Sequence, residues 1–298
     1  MTRIASVLFA LVVAAAMLSA QQPAGAPQRP PVFRSNVDAV RIDVSATDNG
    51  KPIAGLKSDD FEVRDNGIVQ TVDFAATAGS LSVVIALDVQ GNDEWPRANV
   101  EMIRAGQSLA DALKPVDHAW LVTFAETFDL QAGPTSNGVQ LRRLLALSSA
   151  GRGKTLWDTL FASVSLVAGL DGRALVMVIS DGLQPPGESG WLDESHAIDL
   201  LRRGDVMISA VQPRSTVVAP TPLERAARAT GGVVLESARN DHLTAQCARL
   251  FDEYRLGYVL TFTPSGVKRD DGWHKLTVKL KNRAGQVRAR DGYFAGMR

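Results

Sequence analysis

The chain has 298 residues, of which 45% are hydrophobic and 21% charged, and its 32 basic and 32 acidic side chains cancel. This length and hydrophobic content are sufficient for a sizeable core in one large domain or two smaller ones. Neutrality removes the electrostatic reason to expect a nucleic-acid partner, since binding to phosphates needs a basic face. The single cysteine, Cys247, excludes an intramolecular disulfide and lies in a helical pattern, which predicts a small buried hydrophobe.

The N-terminus has the pattern of a secretory signal peptide. In residues 1–20, Arg3 precedes an apolar run that ends at Leu18, and the small residues Ser19 and Ala20 follow. The alternative, a membrane anchor, is less favoured because the apolar run is short for a membrane span. We therefore expect cleavage after residue 20, no membrane span afterwards, and export to the periplasm or the extracellular space.

Two segments lie between the predicted signal peptide and residue 80, where the pattern of apolar and polar residues changes. Residues 21–32 are rich in Pro and Gln, which predicts a linker. Residues 33–79 alternate apolar and polar side chains around two "DNG" turns, at 48–50 and 65–67. This turn between alternating runs is a strong hairpin signal, so we predict an N-terminal β segment.

Residues 80–255 have the pattern of an α/β domain. The runs "LSVVIALD" (81–88) and "RALVMVIS" (173–180) are apolar on both faces, as strands of a parallel sheet are. Shorter strands and helical patterns alternate with them, which predicts a doubly wound, mostly parallel sheet of the Rossmann-like kind. The predicted helices are 95–114, 137–148, 155–170, 194–204, 222–232 and 241–255, and the shorter strands are 118–125, 205–212 and 233–237.

The tail, residues 256–298, is again rich in β patterns. This C-terminal β segment and the N-terminal one at 33–79 are each too small to be stable alone. We therefore predict that the two segments pack together as a β-sandwich-like subdomain beside the α/β domain.

Polar side chains follow both long apolar strands. Asp88 and Asp181 come at the ends of these strands, Gln90 and Asn92 follow the first, and Thr155 opens a predicted helix. Ligands of open α/β sheets bind outside the carboxyl ends of the strands, so these five side chains are expected on one rim. Their oxygen atoms suit Mg²⁺, Mn²⁺ or Ca²⁺ rather than zinc. The alternative is that the two Asp residues start turns and Thr155 caps a helix.

The pattern resembles a von Willebrand factor type A domain. Residues 88–92, Asp-Val-Gln-Gly-Asn, match the Asp-x-Ser-x-Ser motif of its metal-ion-dependent adhesion site, with Thr155 in "GKTLWDTL" and Asp181 in "VISDG" as the later ligands. The flanks, "DFEVRDNGIVQTVDF" and "GYVLTFTPSG", resemble the related proteins of acidobacteria. In the family the two serines bind the cation, and Gln90 and Asn92 replace them here. The resemblance therefore implies a site that is functional, altered or vestigial.

The resemblance implies an exported, non-enzymatic protein-binding or adhesion module. If a cation binds, a carboxylate of the partner would complete its coordination, and the partner would contact the rim and the loop 182–192. A metal-independent structural or assembly scaffold is the alternative. An exported hydrolase is weaker, since Ser189 and His196 lie outside any G-x-S-x-G motif. A nucleotide site is not expected, because Ser148 stands where a phosphate-binding loop before "GKT" needs its first glycine.

Overall fold

The computed structural model describes residues 39–77, 79–91, 96–170, 172–184, 190–213, 220–237, 242–268 and 272–296. The predicted signal peptide and linker, and Asn92 of the predicted site, lie outside these residues. Within the described ranges, no helix is long and apolar enough to cross a membrane.

The described residues contain fifteen strands and six α-helices. The strands are β1 (Val40–Asp48), β2 (Lys51–Pro52), β3 (Phe61–Asp65), β4 (Ile68–Gln70), β5 (Phe74–Thr77), β6 (Leu81–Asp88), β7 (His118–Phe124), β8 (Phe128–Thr135), β9 (Arg173–Ile179), β10 (Met207–Pro213), β11 (Val234–Ser237), β12 (Tyr258–Phe262), β13 (Trp273–Leu280), β14 (Gln286–Arg288) and β15 (Gly292–Phe294). The helices are α1 (Pro96–Asp111), α2 (Gly138–Ala146), α3 (Leu156–Val167), α4 (Glu194–Arg203), α5 (Pro222–Thr230) and α6 (Leu243–Arg255).

The central sheet has the order β11-β10-β9-β6-β7-β8, and only the β7–β8 pair is antiparallel. The chain builds β6, β7 and β8 outward and then returns to place β9 on the other side of β6. The order therefore reverses between β6 and β9, and such a switch point is where open α/β sheets bind ligands. The predicted fold class is confirmed.

Both faces of the central sheet are covered by helices. One apolar core lies under α1, α2 and α6, and a second lies under α3, α4 and α5. This double cover explains why β6 and β9 are buried along their whole length and carry almost no polar residues. Cys247 of α6 is fully buried in the first core, as predicted, and burial raises the pKa of its thiol to about 12.

Two antiparallel sheets flank the central sheet, and each combines strands from both ends of the chain. β1 pairs with β12, with Val40 opposite Phe262, and β3 pairs with β13, with Phe61 opposite Leu280. Their apolar faces share one core. The predicted flanking β unit made from both termini is therefore present. The exact domain boundaries at 79/80 and 255/256 stay predictions.

Both "DNG" sequences form the predicted hairpin turns. Asn49 and Gly50 have φ values of 48° and 73°, and Asn66 and Gly67 have 47° and 85°. Two successive residues with positive φ define the type I′ turn, whose twist matches the twist of the strands it joins. The sequence did not predict β8, an edge strand with little burial on either face and a Gly133–Pro134 bond within it. Proline is tolerated there because an edge strand leaves one row of donors unpaired.

Asp117, in the turn before β7, joins three elements of the α/β domain. Its buried carboxylate accepts hydrogen bonds from the backbone N–H groups of Leu81 and Lys114 and from the Arg255 guanidinium. Burial alone would raise its pKa, but the Arg255 bonds and these two N–H groups lower it below the ordinary value of 3.8. A depressed folded-state pKa contributes stability above the unfolded value and loses it as the pH falls through the folded value.

We therefore expect Asp117→Asn to lower the free energy of unfolding by about 2 kcal/mol at neutral pH. The difference from the wild type should shrink as the pH falls below 3.8. Urea unfolding at several pH values measures it, with Asp129→Asn on the exposed part of β8 as the control. A loss of stability that is independent of pH would contradict the assigned role of the charge.

Candidate functional site

Asp88 and Asp181 meet at the switch point of the central sheet. Asp88 is the last residue of β6, and Asp181 comes two residues after the end of β9. β6 and β9 are parallel neighbours, with Leu87 opposite Ile179, so both carboxylates emerge at the same end. The rim, as the term is used below, comprises the carboxyl ends of β6, β7 and β9 and the loops beside them: residues 88–91, 125–127, 147–155, 180–184 and 190–192.

A lysine lies between the two carboxylates. The Lys154 Nζ atom is 2.7 Å from Asp88 Oδ2 and also forms an ion pair with Asp181 Oδ1. The side chain of Lys154 has no exposed surface and that of Asp88 is 4% exposed, whereas that of Asp181 is 46% exposed. The cluster is therefore closed on the side of the sheet and meets solvent through Asp181.

The ammonium of Lys154 stays protonated at neutral pH. Burial alone would lower the pKa of Lys154, but the charges of Asp88 and Asp181 outweigh burial and raise it above 10.5. Burial also raises the pKa of Asp88, and the Asp181 charge adds to this, while the Lys154 ammonium opposes both. The lysine is thus the charge that allows a carboxylate to remain at a buried position.

Further donors complete the surroundings of Asp88. Its Oδ1 accepts a hydrogen bond from the Gln90 backbone N–H at 2.9 Å, and its Oδ2 accepts one from the Ser180 hydroxyl at 2.6 Å. The same Ser180 oxygen accepts from the Gly182 N–H at 3.1 Å. These bonds fix the carboxylate in one orientation, directed towards Lys154.

The backbone on both sides of Lys154 is also fixed. Gly151 exchanges two backbone hydrogen bonds with residues 89–91, each of 2.9 Å. A Cβ on Gly151 would lie 2.6 Å from the Ala125 Cβ, so the close approach of this loop requires glycine. On the other side, the Gln184 amide donates to the Lys154 carbonyl at 2.8 Å and accepts from the Leu156 N–H at 2.7 Å.

The other predicted ligands take different positions. Thr155 is the N-cap residue of α3, as the alternative interpretation predicted, but its hydroxyl donates to the Ala125 carbonyl at 3.0 Å rather than capping the helix. Gln90 is partly exposed and its backbone pairs with Gly151. Asn92 lies outside the described residues. That all five residues form one metal site stays a prediction.

The described residues do not fit a divalent cation while Lys154 is in place. The nearest oxygens of Asp88 and Asp181 already bind the ammonium, and a metal ion between them would meet a positive charge at contact distance. No group of three or more His, Cys, Asp or Glu that could hold a metal ion occurs in the part of the chain that the structure describes. In the sequence, Lys154 stands out only as part of the "GKT" pattern of a phosphate-binding loop, and its contact with the two carboxylates was not predicted.

The residues of the weaker enzymatic alternatives form no catalytic arrangement where they are described. His196 contacts Asp193 at 2.6 Å, and the Ser195 hydroxyl donates to the same carboxylate, at the exposed N-terminus of α4. Asp193 accepts the His196 N–H as the N-cap, so this is a capping network. Ser189 lies outside the described residues. The segment before "GKT" is helix α2, as expected, whereas a phosphate-binding loop follows a strand.

An exposed tryptophan stands on an anchored part of the rim. Asp158, in the first turn of α3, accepts hydrogen bonds from the backbone N–H groups of Trp191 and Leu192, at 2.8 and 2.9 Å. A Cβ on Gly190 would lie 1.8 Å from the Asp158 carboxylate, so the tight approach requires glycine there. The backbone of Trp191 is therefore held, while the residue is 99% exposed.

A cleft of about 330 Å³ lies on the same rim. Its walls include Val89, Ala125 and Gly151 beside the carboxylate cluster, and Leu147 and Arg152 further out. Leu147 is 79% exposed, so the rim presents a second apolar side chain in addition to the indole.

The strand order, the helices on both faces and the carboxylates at the switch point together define the fold of a von Willebrand factor type A domain. A von Willebrand factor type A structure from Catenulispora acidiphila is 12% identical to this chain, covers 88% of it and 75% of its own chain, and has a TM-score of 0.53. Proximal thread matrix protein 1 from the mussel byssus, with zinc in its metal-ion-dependent adhesion site, is 16% identical over 63% of this chain and 48% of its own, with a TM-score of 0.50.

These similarities show the fold, and the predicted resemblance to von Willebrand factor type A domains is confirmed at that level. No protein-family model matches the chain, and no curated protein matches it in sequence. The resemblance to the related acidobacterial proteins stays a prediction.

Proposed function

We propose that the protein is an exported, non-enzymatic protein-binding module of the von Willebrand factor type A kind, which contacts its partner through the rim. Trp191 carries this proposal. Tryptophan is one of the residues enriched among those that dominate the binding energy of protein interfaces. Here its backbone is already fixed by Asp158, so little loop entropy is lost when the indole is covered.

Other parts of the rim also offer contact area to a partner. Leu147 and the cleft beside it add apolar contact area, Arg152 adds a positive charge in the cleft, and Asp181 adds a half-exposed negative charge elsewhere on the rim. A mixture of apolar and charged side chains is typical of non-obligate protein interfaces. Export rests on the signal-peptide pattern of residues 1–20.

An assembly scaffold is the second candidate, and the flanking β unit favours it. β4 is the edge of the four-stranded sheet, and its Ile68 and Val69 are 43% and 52% exposed. An exposed apolar edge strand is a surface to which another strand pairs.

The two candidates are separated by capture of partners from an extract of the source organism on immobilised protein. We expect Trp191→Ala to reduce the captured amount of a specific partner at least about tenfold, and Val69→Lys to leave it unchanged. The opposite pattern would support the scaffold. A partner that is retained equally by both variants and the wild type would contradict both surfaces.

A further inference from the structure

We propose that Lys154 is the resident cation of this site: its ammonium takes the place of a divalent metal ion between Asp88 and Asp181 and closes the rim to metal. This inference concerns cation occupancy alone and does not rest on the proposed function. Either can therefore fail without the other.

The first observation is the balance of charges among Asp88, Asp181 and Lys154. The Asp88 and Asp181 carboxylates converge on one point, and two carboxylates placed so close together are stable only if they share a proton or have a cation between them. The Lys154 Nζ atom meets both, at 2.7 Å from Asp88 and in direct contact with Asp181, and it brings the formal charge of the cluster to −1. A divalent ion added to this cluster would make it +1 and place two cations side by side.

The second observation is that the Lys154 side chain is completely buried. Lysine is almost never fully buried unless it is paired, yet this side chain has no exposed surface. The Ser180 hydroxyl and the Gln90 N–H hold the Asp88 carboxylate towards it. Asp88 is therefore oriented towards the ammonium by neighbouring hydrogen-bond donors, in the same way that the ligands of a metal ion are oriented towards the ion.

The third observation is that the loop that carries Lys154 is held by hydrogen bonds on both sides of this residue. Gly151 is hydrogen-bonded to residues 89–91, and Gln184 binds the Lys154 carbonyl and the N–H of Leu156, the first residue of α3. The Cα position of Lys154 is thus fixed between two anchors within a few residues. A metal ion could enter only if the side chain rotated out of a buried position, away from both carboxylates.

The replaced motif residues agree with this assignment. A tethered ammonium needs only carboxylates and a few neutral acceptors, so the two serine hydroxyls that bind the metal in the adhesion-site motif are not required. Gln90 stands at the first of these positions and contributes its backbone N–H to Asp88. The altered motif and the buried lysine are then two parts of one change.

Titration of the mature protein with Mn²⁺, followed by calorimetry and by the electron paramagnetic resonance of free Mn²⁺, tests the inference. The wild type is expected to show no saturable binding in the millimolar range. Lys154→Ala removes the ammonium and leaves a space beside two carboxylates, so it should bind Mn²⁺ at least about tenfold more tightly than the wild type. Adding Asp181→Ala to this variant should abolish the gain. Lys275→Ala, at an exposed position of β13, is the matched control and should behave as the wild type does.

Two results would overturn the inference. One is saturable wild-type binding that Asp181→Ala removes, because a metal would then share the site with the lysine. The other is the absence of any gain in Lys154→Ala, because the position would then not be a cation site. If Lys154→Ala does not fold in metal-free buffer, refolding in the presence of Mn²⁺ but not of EDTA supports the inference, and Lys154→Gln provides a second variant without the charge. Wild-type titration decides the exclusion of metal in either case.

Discussion

Arg173→Met is expected to lower the free energy of unfolding by about 3–5 kcal/mol, the cost of removing one partner from a buried ion pair. Arg173 is the first residue of β9 and is fully buried. Its Nε donates to Asp43 Oδ1 of β1 at 3.1 Å, its guanidinium donates to the Tyr254 carbonyl, and its Cζ lies 3.8 Å from the Tyr254 ring centroid. The side chain thus joins the central sheet, α6 and a flanking sheet.

Methionine fills part of the space but leaves Asp43, whose side chain is only 12% exposed, without its main counter-charge. Urea unfolding followed by circular dichroism measures the loss. Arg142→Met is the control, because Arg142 and Asp111 form an exposed pair whose removal should cost less than about 1 kcal/mol. Adding Asp43→Asn should recover part of the stability lost in Arg173→Met. Equal losses for Arg173→Met and Arg142→Met would show that the buried pair does not hold the flanking sheet to the core.

The fold was predictable where local pattern and tertiary role agree. β6 and β9 are buried on both faces, so their sequences are continuous apolar runs. The two "DNG" turns need Asn and Gly for positive φ, so their sequence is nearly determined by their conformation. β8 was not predictable in this way. It lies at an edge, its two faces are similarly exposed, and its stability comes from pairing with β7, which leaves no periodic pattern.

The site was predictable in part. Asp88 and Asp181 follow from the rule that strand ends meet at the switch point. Lys154 did not follow, because its contact depends on how the loop 148–155 crosses the rim, and Gly151 and Gln184 determine that crossing through tertiary contacts. A signal was present in the sequence. Both serine positions of the adhesion-site motif are changed, and a lysine stands next to the matched threonine.

A tethered ammonium and a bound metal ion differ in what they offer a partner. A metal ion with an open coordination position attracts a carboxylate of the partner directly. The Lys154 ammonium is fully covered and is neutralised by Asp88 and Asp181, so the rim presents the half-exposed Asp181 carboxylate instead. Partner binding at this rim would then depend on Trp191 and Leu147, and on basic rather than acidic groups of the partner near Asp181.

The second large effect is expected when Lys154 is replaced, because Lys154 stabilises the buried Asp88 carboxylate. Lys154→Met keeps most of the aliphatic stem but leaves Asp88 buried without its counter-charge, so we expect a loss of about 3–5 kcal/mol in the free energy of unfolding. Because the pKa of Lys154 is raised above 10.5, its contribution is fully present below that pH and is lost only as the pH rises through the folded-state pKa. Titration of Lys154 therefore adds no pH dependence near neutrality. In the variant the pKa of the unpaired Asp88 rises further, so the loss should become smaller as the pH falls and Asp88 takes up a proton.

Asp88→Asn in the Lys154→Met background removes the unpaired charge and should restore part of the stability. A double-mutant cycle of the two single variants, the double variant and the wild type, measured by urea unfolding in EDTA, gives the coupling energy, expected near the upper end of the about 0.5–3 kcal/mol range of contacting residues. Arg104→Met, which breaks an exposed pair with Glu101 on α1, is the control and should cost less than about 1 kcal/mol. Additive losses in the cycle would mean that the ammonium and the Asp88 carboxylate do not stabilise each other. The site would then depend on the hydrogen bonds of Ser180 and Gln90 instead of on its lysine.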